Sequence, residues 1–169
     1  MSFRISAFAS KEIQATILLL KGADRTIAKE LRAQSKKVIQ PVWQEAIKAN
    51  AQTALEVRVL GDTARATVSD QNVTLTAGGI GKALRGGAKP LDIFHAVEFG
   101  ADRDKEAGYS THRKGTRYDI RARQTQRQFK RRNLKGYVAY PAAAEVIPRV
   151  ASLWVQTVVR TFHEIIEGK

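Results

Sequence analysis

The 169-residue chain contains no cysteine, which excludes disulfide bonds, thiolate metal sites and a cysteine nucleophile. No apolar run approaches the roughly 20 residues that a membrane-spanning helix needs. The N-terminal residues also lack the long apolar stretch and the small-residue cleavage site of a signal peptide. We therefore expect one soluble domain over residues 1–169 that contacts no membrane and folds in a reducing cytoplasm.

Sequence motifs for catalysis and cofactor binding are also missing. The glycines in residues 78–82 fail the phosphate-loop pattern, because Thr76 replaces its first glycine and Ala83 replaces its hydroxyl residue. The dinucleotide-binding pattern fails as well, since Leu84 occupies its last glycine position. The three histidines are dispersed along the chain: His95, His112 and His163. We therefore predict no enzyme activity, no cofactor and no metal ion.

Positive charge is the strongest feature of the composition, and most of it lies in one segment. The formal net charge is +13, of which +9 belongs to residues 113–135, where ten basic residues accompany a single acid, Asp119. A nucleic acid, an acidic protein surface and simple solubility each account for such a cluster. No sequence-reading helix or zinc module accompanies it, so any DNA contact would be independent of base sequence.

Aromatic residues are interleaved with these cations. They suit either stacking on single-stranded nucleic acid or docking of the segment on protein, and we favour docking. The candidate interface or polyanion-binding residues are Arg113, Arg117, Tyr118, Arg121, Arg123, Arg127, Phe129, Lys130, Arg131, Arg132, Lys135 and Tyr137. Residues 102–135 hold few large aliphatic residues, so we expect an extended basic arm that stays partly disordered until it meets a partner.

The spacing of apolar residues predicts three helices. A short apolar helix over residues 13–20 comes first. Asp24 then caps a long amphipathic helix that runs to Asn50 with a bend at Pro41. A third helix begins at Pro141 and carries one broad apolar stripe. The stripe consists of Val146, Val150, Leu153, Trp154, Val158, Phe162, Ile165 and Ile166.

Alternating apolar and polar residues predict short strands, the first three of them an antiparallel meander between the long helices. A glycine-rich loop over residues 78–90 interrupts them. The predicted strands cover residues 55–59, 64–68, 73–77, 93–99 and 137–140. The expected fold class is α+β, with a small antiparallel sheet packed by the long N-terminal-half helix and the long C-terminal helix. Residues 1–23 form an N-terminal segment of the same domain.

Two short motifs stand in a fixed order with these elements. Val97-Glu98-Phe99-Gly100 precedes the basic arm, and Tyr140-Pro141-Ala142 opens the last helix. The motifs and the order of elements resemble the small tail-component family of long-tailed bacteriophages, whose members are called tail-completion or head–tail joining proteins. The likeness covers residues 24–167. The long arm departs from the shorter members of the family.

This resemblance implies a structural virion protein without catalytic residues that forms a ring, six-fold by that likeness, at the junction of head and tail. It would be made in the cytoplasm of a host bacterium. Its partners would be copies of itself and the neighbouring neck, terminator and tail-tube proteins, with a sequence-independent contact to phage DNA left open. The alternatives are a tail terminator or adjacent connector ring, and a non-viral nucleic-acid-binding protein that uses the arm.

Overall fold

A computed structural model describes residues 1–6, 10–79, 81–101, 108–113, 115–121 and 129–167. It contains helices and two small antiparallel sheets. The helices are α1 (Lys11–Gly22), α2 (Arg25–Asn50), α3 (Ala54–Glu56), which continues as a π-helical turn (Val57–Gly61), α4 (Pro90–Phe99) and α5 (Ala139–Ile166). The strands are β1 (Ser2–Ser6), β2 (Arg65–Val68), β3 (Asn72–Thr76), β4 (Gly108–Arg113) and β5 (Thr116–Arg121).

Helices α1 and α2 form where the sequence predicts them. The side chain of Asp24 accepts a hydrogen bond from the Thr26 amide at 3.2 Å, so it caps α2. Pro41 lies inside α2 on its exposed side. The helix buries one stripe of residues at helical spacing: Leu31, Ile39, Trp43 and Ile47. The amphipathic pattern therefore predicted the helix and most of the face that it buries, although Val38 of the apolar pattern is 37% exposed.

The main sheet has the strand order β1-β3-β2, and all its pairs are antiparallel. Strands β2 and β3 confirm two of the three predicted strands of the meander. The third strand of the sheet is β1, which lies in the N-terminal segment that we had left without an element. Its alternation was visible in the sequence, since Phe3 and Ile5 stand between Ser2, Arg4 and Ser6.

The strand predicted at residues 55–59 is wrong, because this segment is α3 and its π-helical turn. Thr53 and Glu56 form a capping box: the Thr53 hydroxyl accepts from the Glu56 amide, and the Glu56 carboxylate accepts from the Thr53 amide. This reciprocal pair satisfies two backbone donors at the start of a helix. The capping residues therefore outweighed the apparent alternation of apolar residues.

The strands predicted at residues 93–99 and 137–140 are also wrong. The first segment belongs to helix α4, which begins at Pro90 and buries Phe94, Val97 and Glu98. Val97 and Glu98 lie three and four residues after Phe94, which is helical spacing. The second segment leads into α5, which begins at Ala139, two residues before the predicted start.

The long helices α2 and α5 pack against each other and against the main sheet, which confirms the α+β fold class. Trp43 and Trp154 are both fully buried in this core. Of the predicted stripe of α5, Val146, Val150, Trp154 and Val158 are buried, whereas Ile166 is 67% exposed. None of the helices in the described part of the chain is long and apolar enough to cross a membrane.

Candidate interaction site at the base of the basic arm

The predicted interface residues fall into three groups in the structure. Arg113 belongs to β4, and Arg117, Tyr118 and Arg121 belong to β5. The returning end of the arm carries Phe129, Lys130, Arg131, Arg132, Lys135 and Tyr137. Arg123 and Arg127 lie outside the described residues. The structure therefore gives side-chain contacts mainly for the returning end, where the arm meets the body of the protein.

Strands β4 and β5 form a hairpin that is separate from the main sheet. The register pairs Arg113 with Thr116 and Gly108 with Arg121, so the loop between the strands has two residues. Gly115 in that loop has φ = +80°, a conformation that favours glycine. Among the described elements, the hairpin packs extensively only on itself. The expectation that the arm orders only on meeting a partner stays a prediction.

The two ends of the arm are tied together at one point, which we call the arm base (residues 99–101 and 130–133). The Ala101 amide donates to the Lys130 carbonyl at 2.9 Å, and the Asn133 amide donates to the Phe99 carbonyl at 2.7 Å. Gly100 has φ = +70°, and a Cβ atom added there would fall on the Arg131 carbonyl oxygen. The motif glycine is therefore required by the close approach of the returning chain.

The Lys130 side chain binds other residues of its own chain. Its Nζ lies 2.8 Å from Oε1 of Glu56 and 3.0 Å from Oε1 of Gln52, and 4.8 Å from the centre of the Tyr137 ring. The Tyr137 hydroxyl in turn donates to the Arg131 carbonyl at 2.9 Å. Lys130 thus holds the arm base on the body, and Tyr137 contacts Lys130 and Arg131 within the arm base itself.

Glu56 provides the buried negative partner for Lys130. Burial alone would raise the pKa of the Glu56 carboxyl. The hydrogen bond from Lys130 and those from the Gln52 and Thr53 amides outweigh burial and hold this pKa below its usual range. The charged form of Glu56 is therefore favoured in the folded protein, where it also caps α3.

Acid should weaken the arm base through Glu56. Because its folded pKa is the lower one, Glu56 stabilises the fold above the usual glutamate range, and this contribution is lost as the pH falls through the folded pKa. We expect the free energy of unfolding to fall as the pH drops below about 5, and to fall less in the Glu56→Gln variant. Urea denaturation at several pH values measures the difference. An unchanged pH dependence in Glu56→Gln, with the exposed Glu145→Gln as control, would contradict this role.

Glu98 is the residue that joins the two sequence motifs. It is fully buried on α4, and its carboxylate accepts from three backbone amides where α5 begins: Val138 at 3.2 Å, Ala139 at 2.8 Å and Tyr140 at 2.9 Å. An acid at a helix N-terminus satisfies amides that have no partner within the helix and faces the positive end of the helix dipole. Glu98 therefore fixes the start of α5 directly beside the arm base.

The surface around the arm base combines positive charge with apolar and aromatic groups. Arg131, Arg132 and Lys135 are exposed, and Leu134 between them is 76% exposed. Tyr140 is 43% exposed. Its ring makes edge contacts with the rings of Phe99 and Phe3, with 5.3 and 5.1 Å between the ring centres. Such a mixture of aromatic groups and arginine is typical of protein interfaces.

Sequence reasoning found the cations and the aromatics of this site, but it missed the roles of Glu56 and Glu98. The capping-box spacing of Thr53 and Glu56 was a local signal for one of them. Glu98 had no comparable signal, because its partners lie 40 residues and more along the chain. Comparisons of the chain with protein-family models, with curated proteins and with solved structures found no match.

Proposed function

We propose that this protein is a structural subunit of a ring at the head–tail junction of a long-tailed bacteriophage, and that the basic arm of each copy contacts the next copy. The observation that carries the proposal is the arm base. The arm leaves the body at Ala101 and returns at Lys130, and a hydrogen bond joins these two residues. A hairpin whose two connecting segments start from one fixed point can serve as a repeated contact to a neighbour, as a ring of identical contacts requires.

The two motifs that resemble the phage family support this proposal in a second way. Val97-Glu98-Phe99-Gly100 and Tyr140-Pro141-Ala142 are far apart in the sequence, yet Glu98 accepts from the Tyr140 amide, and the Phe99 and Tyr140 rings are in contact. Gly100 has no Cβ atom and so leaves room for the returning chain. The motif residues thus act together at the arm base, which is a structural rather than a catalytic task.

Removing the hairpin in the phage that encodes this chain tests the proposed function. In the variant, a short Gly-Ser linker replaces residues 108–121 and leaves the arm base intact. We expect filled heads and free tails that do not join, seen by electron microscopy of the lysate, and infectivity reduced by about a thousandfold or more because a ring interface is lost. A matched control replaces the exposed loop residues 85–88 with the same kind of linker. Normal infectious virions from the hairpin variant would refute the role of the arm.

Phage DNA is the second candidate partner, and the exposed cations Arg131, Arg132 and Lys135 favour it. Lys130 is less suited to bind phosphate, because Glu56 and Gln52 already bind its ammonium group. If DNA were the main partner and about five cations met phosphates, the log–log salt dependence of binding would have a slope of about −4 to −5. We expect weak binding with a shallower slope, since we assign the main contact of the arm to protein.

A further inference from the structure

The two edges of the main sheet differ in how their backbone groups are satisfied. On the outer edge of β2, the Ala66 amide donates to the Gln40 side chain at 2.8 Å, and the Ala64 carbonyl accepts from the Gln40 and Gln44 side chains at 3.1 and 3.2 Å. Helix α2 therefore closes this edge. On the outer edge of β1, no other described residue hydrogen-bonds to the backbone. An open strand edge is a template for pairing with another strand.

The register of the sheet shows which residues of β1 carry the open groups. The Ala77 amide donates to the Met1 carbonyl, and the ladder then pairs Phe3 with Leu75 and Ile5 with Val73. Because hydrogen-bonded pairs alternate in an antiparallel ladder, Phe3 and Ile5 bond to β3. The backbone groups of Ser2, Arg4 and Ser6 therefore point away from the sheet.

Strand β5 of the hairpin also has backbone groups that point away from its paired strand. A two-residue loop places a hydrogen-bonded pair at its ends, so Arg113 bonds to Thr116, and pairs alternate from there. By this alternation the backbone groups of Asp119 and Arg121 point away from β4. Along β5, polar residues alternate with Tyr118 and Ile120, as polar residues alternate with Phe3 and Ile5 along β1.

We propose that β5 of one copy adds to the open edge of β1 in the next copy, antiparallel, with Arg4 opposite Asp119. This inference rests on the proposed ring function and names the surface that the arm meets. The register places Ile120 opposite Phe3 and Tyr118 opposite Ile5, so that apolar residues meet on one face. It also pairs the only acid of residues 113–135 with a cation, and such cross-strand pairs are favourable.

An apolar groove lies beside the open edge where an added strand would place its apolar face. The groove has a volume of 490 Å³ and lies between β1, α1 and α5. Its apolar lining includes Ile5, Ile13, Ile147, Ala151 and Val155. In the proposed register the partner residue opposite Ile5 is Tyr118, an aromatic residue of a size that fits such a groove. The groove and the backbone register thus point to the same occupant.

A second copy fits this edge better than the other candidates. Within one chain the hairpin and the main sheet are separate sheets, so the pairing is not made in the single copy. Two β1 strands paired about their midpoint would place Arg4 opposite Arg4, and like charges directly opposite each other are unfavourable. A two-stranded hairpin is itself only marginally stable in water, so addition to a sheet would stabilise it.

Disulfide cross-linking tests the register, because the chain has no cysteine of its own. The variants Arg4→Cys and Asp119→Cys are purified separately, one of them labelled with ¹⁵N, then mixed and mildly oxidised. Opposed residues of a hydrogen-bonded pair lie about 5.5 Å apart between Cα atoms, a distance that a disulfide spans. Mass spectrometry identifies the disulfide-linked dimer of one labelled and one unlabelled copy. We expect its yield to exceed the yield from the control pair Thr67→Cys and Asp119→Cys by about tenfold or more.

The charge pair gives a second, independent test. Arg4→Asp and Asp119→Arg should each weaken self-association about tenfold, and the double variant should recover it. Arg65→Asp, an exposed cation on β2, is the control and should leave association unchanged. Oligomers without the mixed disulfide and without charge rescue would overturn the strand pairing while the ring function stood. A disulfide formed only within single copies of the Arg4→Cys/Asp119→Cys double variant would also overturn it. The absence of any oligomer would overturn both proposals.

Discussion

Replacing Glu98 with alanine is expected to lower the free energy of unfolding by about 3–5 kcal/mol. The carboxylate is fully buried, and it is the acceptor for the amides of Val138, Ala139 and Tyr140. Alanine would leave these three buried or half-buried donors without a partner and would open a cavity. A buried donor without a partner costs about 1–3 kcal/mol. The start of α5 and the arm base beside it should loosen together.

Chemical denaturation of Glu98→Ala, Glu98→Gln and wild type measures this effect. Glutamine keeps the size of the side chain but turns an NH₂ group toward amide donors, so it should recover only part of the loss. Glu145→Ala, at an exposed glutamate on α5, is the control and should change stability by less than about 0.5 kcal/mol. A loss below about 1 kcal/mol in Glu98→Ala would mean that the carboxylate does not fix α5.

Gly100→Ala is expected to cost at least about 3 kcal/mol and to open the arm base. The residue has φ = +70°, and its added Cβ would collide with the Arg131 backbone. Gly87 is a useful control, because its φ of +83° is also positive while no atom lies within 4 Å of an added Cβ. Gly87→Ala should therefore cost only about 1–2 kcal/mol. The difference between the two variants measures the close approach of the returning chain together with the extended ψ of −174° at Gly100.

Hydrogen exchange shows which part of the structure becomes less stable in Gly100→Ala. The amides of Ala101 and Asn133 donate across the arm base, and they should exchange much faster in the variant. Amides in the middle of α2, such as that of Ile39, serve as the internal reference. If Gly100→Ala and Gly87→Ala lowered the free energy of unfolding equally and left exchange at the arm base unchanged, the close approach of the returning chain would not require glycine at position 100.

The long elements were predictable because each carries its own signals. Asp24 caps α2, and the apolar residues of α2 and α5 repeat at helical spacing over many turns. Short segments were not predictable in this way. Residues 93–99 form a helix because Phe94, Val97 and Glu98 find partners in the body. Within a few residues, alternation and helical spacing look alike, so tertiary contacts decide.

The candidate site was predictable in composition but not in its contacts. The sequence indicated that residues 113–135 are basic and hold aromatic residues. It did not indicate that Lys130 binds Glu56 and Gln52, because these contacts join distant parts of the chain. The N-terminal strand was missed for a related reason. Five alternating residues become a strand only when β3 offers an edge to pair with.

The oligomeric state of the purified chain tests most directly whether the arm joins copies into a ring. Native mass spectrometry and negative-stain electron microscopy are applied to the full chain and to the variant in which a linker replaces residues 108–121. We predict closed rings, six-fold by the family resemblance, for the full chain and folded monomers for the variant, with circular dichroism showing that both are folded. Rings that form equally well without the hairpin, or a full chain that stays monomeric at every concentration tested, would contradict this prediction.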